Sequence, residues 1–319
     1  MKIAIYLATI QLRIADLNLL PLMHARRVMR GLAKGIARAD PSTEVALVDS
    51  QNLVRSDFAV MFGWTVPGAT RDCYRLRQRL VDAFDDDPTR LLVMETPVLG
   101  RRVDTLRHGW WRMGCGGMTR AAEFLNNSSP ADRWQRQSTV LKIYPCPYRK
   151  DGSHILVLGQ KSGDASLFGL DMRQWLASTI ADIRKHSERP VVLRLHPREK
   201  QMDASDFPNV TISTNKSVLD DLRGAWAAVT YSSGSAIDAL LAGIPVFTLS
   251  EHSLAYTMGN HDLNALETPR MPGRQQWLND LSYAQWSNAE LSDGTYWRQI
   301  MRRHPAYAHD VDRGVSHRE

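Results

Sequence analysis

Cysteine is scarce in this sequence, with three residues, Cys73, Cys115 and Cys146, in a chain of 319. None stands in a CxxC spacing, and an odd number cannot close a disulfide framework. The scarcity excludes a thiol-stapled extracellular scaffold and argues against a zinc site. Long apolar runs are missing as well. No stretch approaches the roughly 18 uninterrupted apolar residues of a membrane helix, and the chain enters a strand-like run at Lys2 without a separate signal region. A soluble, cytoplasmic protein is expected. Neither the dinucleotide glycine fingerprint nor the phosphate-loop spacing occurs. The acidic run Asp85-Asp86-Asp87 lies beside Pro88 just past a helical stretch, where carboxylates solvate a turn, so no metal is expected.

What is present is ample apolar material, 43% of residues, enough for two domains of ordinary size. Net charge is +6 and uneven: residues 1–150 carry 23 Lys and Arg against 14 Asp and Glu, and the remainder 17 against 20. The asymmetry points to an anionic partner for one domain only. Short apolar runs alternate with helical stretches throughout, the pattern of doubly wound parallel sheets. The expected division is a first Rossmann-like domain over 1–150, a second over 151–275, and C-terminal helices over 276–319 that pack back on the first. The polar Arg149-Lys150-Asp151-Gly152 is the expected linker.

The chemistry concentrates in Tyr231–Val246, YSSGSAIDALLAGIPV. A strand over Ala225–Thr230 leads into Ser232, Ser233, Gly234 and Ser235, then a helix that ends at Gly243, then a strand from Ile244. Small hydroxyl residues at a helix start cap it while leaving backbone N–H groups available, so strand, serine-glycine turn and helix make a phosphate site. A second cradle follows the strand at His154–Leu158, where Gly159, Gln160, Ser162 and Gly163 lie in a small-residue turn. A third strand, Val191–Leu195, carries Arg194 and delivers His196 at its end.

In the first half, a helix after Pro21 carries Arg26, Arg30, Lys34 and Arg38 four residues apart. Another, capped by Thr70, carries Arg71, Arg75 and Arg79. Like charges at this spacing repel by a few tenths of a kcal/mol per pair, and a phosphate backbone would relieve both rows. Arg101 lies in an irregular stretch, roughly Pro97 to Trp134, of the kind that forms functional loops. The strand at Arg90–Met94 delivers Glu95 to the edge where ligands of open parallel sheets bind.

Two sheets in tandem with anion sites in the second resemble the GT-B glycosyltransferases. Arg194-Leu195-His196-Pro197 and Ser232-Ser233 are similar to the His-Pro and Ser-Ser motifs of sialyl, Kdo and capsule-type transferases. LGQKSGDASL, LHPR, YSSGSAIDALLAGIPV, GWWRMGCGG and FLNN together resemble bacteriophage-encoded glycosyltransferases associated with hypermodified DNA. The resemblance implies two Rossmann-like domains facing a central cleft and a UDP- or CMP-sugar donor held by the second domain without a metal. The donor's phosphate would meet Gly159, Gln160, Ser162, Gly163, Arg194, His196, Ser232, Ser233 and Ser235. Glu95 is the expected base, with Asp16 second, and the expected acceptor is a hydroxymethylated pyrimidine in DNA. A capsule polysaccharide acceptor, a nucleotide-sugar epimerase of the same fold and a non-catalytic DNA binder are the alternatives.

Overall fold

The computed structural model of the chain describes residues 1–10, 19–100, 109–208 and 210–305. The chain divides into two compact units, Met1–Trp134 with Leu278–Glu319, and Gln135–Trp277. In chain order the first unit begins with β1 (Lys2–Tyr6), α1 (Leu19–Ala39), β2 (Glu44–Val48), β3 (Phe58–Phe62), α2 (Asp72–Ala83), β4 (Leu91–Glu95) and β5 (Trp110–Cys115). Helix α3 (Asp132–Leu141) carries the chain onward. The second unit contains β6 (His154–Leu158), α4 (Met172–His186), β7 (Val191–Arg194), β8 (Thr211–Ile212), α5 (Val218–Leu222), β9 (Ala225–Thr230), α6 (Ser235–Leu241) and β10 (Val246–Thr248). The return runs through α7 (Gln275–Tyr283), β11 (Gln285–Ser287), α8 (Asn288–Ser292) and α9 (Thr295–Arg303).

The first sheet has the order β11-β5-β4-β3-β1-β2. Its four N-terminal strands are parallel and almost wholly buried at β1, β3 and β4, as expected of strands covered on both faces. Ala25, Met29, Leu32 and Ile36 of α1 pack on Ile3, Ile5, Val60 and Leu92 in one core. The stretch expected to be irregular contains a regular strand, because Trp110 to Cys115 pairs antiparallel with β4 on one side and β11 on the other. Its second partner lies far along the chain, so nothing local announces it. Trp286, Leu291, Tyr296, Trp297 and Ile300 fill the same core, which makes the C-terminal segment part of the first unit.

Arg133 and Glu290 fasten that segment. The guanidinium donates to Glu290 through Nη1 at 2.6 Å and Nη2 at 3.3 Å, and Nη2 also reaches the Gln285 carbonyl at 2.7 Å. Trp286 lies 3.9 Å below it, ring centroid to Cζ. Both side chains are under a tenth exposed, and Glu290 also accepts from the Ser287 backbone and hydroxyl as the return half of a capping box.

The second sheet has the order β10-β9-β6-β7-β8, with every neighbour parallel. From β6 the chain builds outward through β7 and β8, then returns to the other side of β6 with β9 and β10. That reversal makes a topological switch point between β6 and β9, and the corresponding point of the first sheet lies between β1 and β3. Open α/β sheets bind ligands outside the carboxyl ends of the strands at such points.

Candidate anion site at the switch point of the second sheet

The loops that leave the carboxyl ends of β6, β7 and β9 carry the candidate residues, and two side chains lock these loops to one another. Gln160, just past β6 and buried, accepts the Ser232 N–H at 2.8 Å and donates to the hydroxyls of Ser232 and Ser166, each at 3.1 Å. Ser232 completes the latch by donating to the Ser166 carbonyl at 3.1 Å. Glu199, past β7, accepts the Ser162 N–H at 2.7 Å and the Ser162 hydroxyl at 2.9 Å. Burial alone would raise the Glu199 carboxyl. The backbone N–H groups of Ser162, Gln201 and Lys200 and the Ser162 hydroxyl outweigh burial and hold it below the usual range.

These bonds redistribute the roles expected of the individual residues. Ser232 and Gln160 face each other and shape the site. Ser162 directs both its N–H and its hydroxyl to an internal carboxylate, so Glu199 already occupies the expected second cradle; Gly163 beside it takes φ +70° in open space. Arg194 reaches Asp221 and the carbonyls of Asn215 and Lys216. Its Asp221 partner is buried and accepts further bonds from Ser213 and Asn215. The guanidinium thus secures the loop after β8. Gly159 lies against the Arg194 carbonyl, where a Cβ would approach to 3.3 Å, so glycine keeps the ends of β6 and β7 close.

Ser233 and Ser235 remain as hydroxyl donors, and His196 stands just past the end of β7. The assigned N-cap of α6 is Gly234, which has no side chain to give, and the helix-start N–H of Ser235 is met by the Ser233 side chain. Ser232 is held by the latch, and the Ser233 oxygen accepts the Ser235 N–H at 3.2 Å, which leaves the Ser233 hydroxyl proton to donate. The Ser235 hydroxyl has no hydrogen-bond partner among the described residues. His196 Nδ1 accepts the Arg198 N–H at 3.1 Å, so a neutral ring carries its proton on Nε2. At the far end of α6, Gly243 takes φ +76°, and a Cβ there would stand 2.1 Å from the Pro147 carbonyl oxygen. That glycine lets the 146–149 segment dock on the helix terminus, with Cys146 N–H to Leu241 O and Arg149 N–H to Gly243 O, each at 2.8 Å.

In the first unit, Glu95 ends β4 directly opposite Arg112 of β5 and accepts its neighbour Thr96's N–H at 2.7 Å. Asp16 and Arg101 lie outside the described residues. The N-cap of α2 is Arg71, displacing the expected Thr70. The basic rows are partly answered from within the chain. Arg26 pairs with Asp49 and Arg75 with Asp72, while Arg38 and Arg79 donate to the carbonyls of Ser292 and Gln51. Arg30, Lys34 and Arg71 are exposed and have no such partner among the described residues. Of the acidic run, Asp85 and Asp86 are exposed, and Asp87 bonds Thr89 and pairs with Arg90. Among the described residues no group of three or more His, Cys, Asp or Glu is placed to hold a metal ion, and no helix is long and apolar enough to cross a membrane.

Arg77 was not singled out by spacing, yet it is the buried fastener of the first switch point. It donates to the Thr9 carbonyl at 2.8 Å and the Trp64 carbonyl at 3.0 Å, joining the ends of β1 and β3. Gly63 at φ +73° lies over the guanidinium, where a Cβ would meet Cζ at 3.0 Å. Cys73 and Cys115 are buried and Cys146 is exposed, and burial pushes the Cys115 thiol up to about 12.

A solved structure shares this arrangement of two α/β sheets. The KpsC beta Kdo 2,7 transferase of Thermosulfurimonas dismutans superposes with a TM-score of 0.51 at 14% identity, covering 94% of this chain and all of that one. The KpsC beta Kdo 2,4 transferase of the same organism gives a TM-score of 0.49 at 12% identity, over 81% and 88% of the two chains. A glycosyltransferase of kitacinnamycin gives 0.32 at 12% identity over 95% and 99%. No protein-family model and no curated protein sequence matches the chain. The fold is therefore α/β, of the GT-B type.

Proposed function

We propose that this chain is a glycosyltransferase that moves a sugar from a UDP- or CMP-linked donor to a hydroxyl acceptor. One observation carries the reading. Three loops at the second switch point are locked together by Gln160 and Glu199, and Ser233, Ser235 and His196 lie on the segments that leave the carboxyl ends of β9 and β7, the edge where a sheet of this order binds its ligand. Fixed donors of this kind stabilise the negative charge that develops on a departing phosphate, at no reorganisation cost during reaction. Helix α6 has only seven residues, so the hydroxyls and the imidazole supply most of that stabilisation without a metal. Glu95 removes the proton from the attacking hydroxyl.

The test is donor affinity. Ser233→Ala should weaken the binding of UDP or CMP about tenfold, the usual cost of a hydrogen bond lost to a charged group, and lower the melting temperature only by the few degrees that loss of the bond to the Ser235 N–H accounts for. Titration curves identical to the parent's for both nucleotides would refute the site.

For the acceptor we infer DNA bearing a hydroxymethylated pyrimidine. Its support is the exposed set Arg30, Lys34 and Arg71, together with the basic excess of residues 1–150. A capsule-type polysaccharide is the second reading, favoured by the internal partners of Arg26, Arg38, Arg75 and Arg79. Duplex DNA binding across a salt series separates them. A DNA acceptor predicts a log–log slope near −0.9 for each phosphate neutralised, shallower by about two in the Arg30→Ala, Lys34→Ala variant. Salt-independent or undetectable binding favours the polysaccharide.

A further inference from the structure

Phe168 is poorly explained by folding. It is a large aromatic with 41% of its surface exposed, and it takes φ +52°, a left-handed conformation that a bulky side chain adopts only when its surroundings impose it. Gly169 follows at once with φ +91°, so a glycine turn is available one residue on. As the left-handed cap of the Ala165–Leu167 turn, Phe168 still leaves two-fifths of its surface exposed. By contrast, Trp175 and Tyr231 of the same unit meet edge to face at 5.8 Å while packed against the core.

Phe168 does have a partner in position. Its ring lies 4.2 Å from that of His252, centroid to centroid, at an interplanar angle of 39°. Phe168 belongs to the loop after β6 and His252 to the loop after β10. Because β9 lies between those strands, the pair straddles the β9 loop that carries Ser232 and Ser233. The short helical turn ahead of Phe168, Ala165–Leu167, is also the one latched to Ser232 through the Ser166 carbonyl at 3.1 Å. The loop that carries the exposed ring is thus bonded to the loop that carries Ser233.

We propose that Phe168, backed by His252, is the stacking platform for the nucleobase of the donor whose phosphate lies at Ser233 and His196. The assignment rests on the donor reading above and deepens it, since it makes the ligand of the switch point a nucleotide and excludes a bare sugar phosphate or a polyanion. Stacking tolerates any base, because every base presents a π face. The platform therefore adds affinity for nucleotides as a class, and the choice among bases falls to edge contacts.

Calorimetric titration of the full chain with UDP, CMP and pyrophosphate tests this, using the parent, Phe168→Ala, Phe168→Gly, Phe168→Tyr and Ser233→Ala. Losing one stacked base weakens binding roughly tenfold, so Phe168→Ala should lose about that factor for the nucleotide it binds best and none for pyrophosphate. Phe168→Gly should behave alike while keeping its melting temperature, because glycine takes the positive φ without strain. Phe168→Tyr should bind as the parent does, and Ser233→Ala should weaken all ligands. If nucleotides bind Phe168→Ala and Phe168→Gly as tightly as the parent while Ser233→Ala still weakens them, the platform is wrong and the donor site stands. If no nucleotide binds the parent, the donor reading fails and takes the platform with it.

Discussion

Alanine in place of Glu290 should destabilise the first unit by about 3–5 kcal/mol, the usual cost of breaking a buried ion pair by removing one partner. The reason is local and specific. Arg133 is bound on two sides by Glu290 and stacked on Trp286, with Tyr283 5.1 Å away. Without the carboxylate, its charge is left buried among aromatic rings, and Ser287 loses the side chain that closes its capping box. At about 2–4 °C per kcal/mol for a unit of this size, the melting temperature should fall by roughly 10 °C or more. Glu290→Gln keeps the shape and should cost less. Replacing both partners, as Arg133→Met with Glu290→Leu, should recover much of the loss, since a well-packed apolar pair avoids the desolvation penalty. Urea denaturation followed by tryptophan fluorescence reads all three. A melting temperature unmoved in Glu290→Ala would mean that water reaches Arg133 and that the pair does not hold the C-terminal segment.

The second large effect is on turnover. Glu95→Gln should reduce the rate of sugar transfer by about 10²–10⁴, the range for a positioned general base, while donor and acceptor affinities and the melting temperature stay as in the parent. The amide is nearly isosteric and still accepts from the Thr96 N–H, so the local turn should survive. What it cannot do is take a proton. Single-turnover kinetics at saturating donor isolates that step. A variant with parental turnover would pass the role to a residue other than Glu95.

Much of the architecture was legible from local pattern. The buried runs at β1, β3, β4, β6 and β9 are continuous apolar segments between turn formers, and parallel strands covered on both faces leave that signature. The serine-glycine turn after β9 and the left-handed Gly243 were readable for the same reason, because turn chemistry acts over a few residues. Strand β5 was not readable. Its tryptophans and glycines look like loop composition until β11 is set beside it, and β11 lies about 170 residues further on.

The candidate site divides along the same line. Its position follows from the sequence: Gly159, Gln160, His196, Ser232 and Ser233 stand at the ends of apolar runs, and parallel strands deliver their carboxyl ends to one edge. The role of each residue does not. Gln160 meets Ser232 across 72 positions, Glu199 meets Ser162 across 37, and Arg194 meets Asp221 across 27. A hydrogen-bonding side chain has only a few donors and acceptors to give, so the partner it finds in the fold decides whether it shapes the site or meets the ligand. The sequence by itself determined two α/β units, the sheet edges on which the candidate residues lie and the basic excess of the first, because periodicity, turn formers and charge are properties of neighbouring residues. Only the tertiary structure decided that Ser232, Ser162 and Arg194 are fasteners, that Ser233 keeps a proton to donate, that Arg77 closes the first switch point, and that Phe168 stands exposed beside the second.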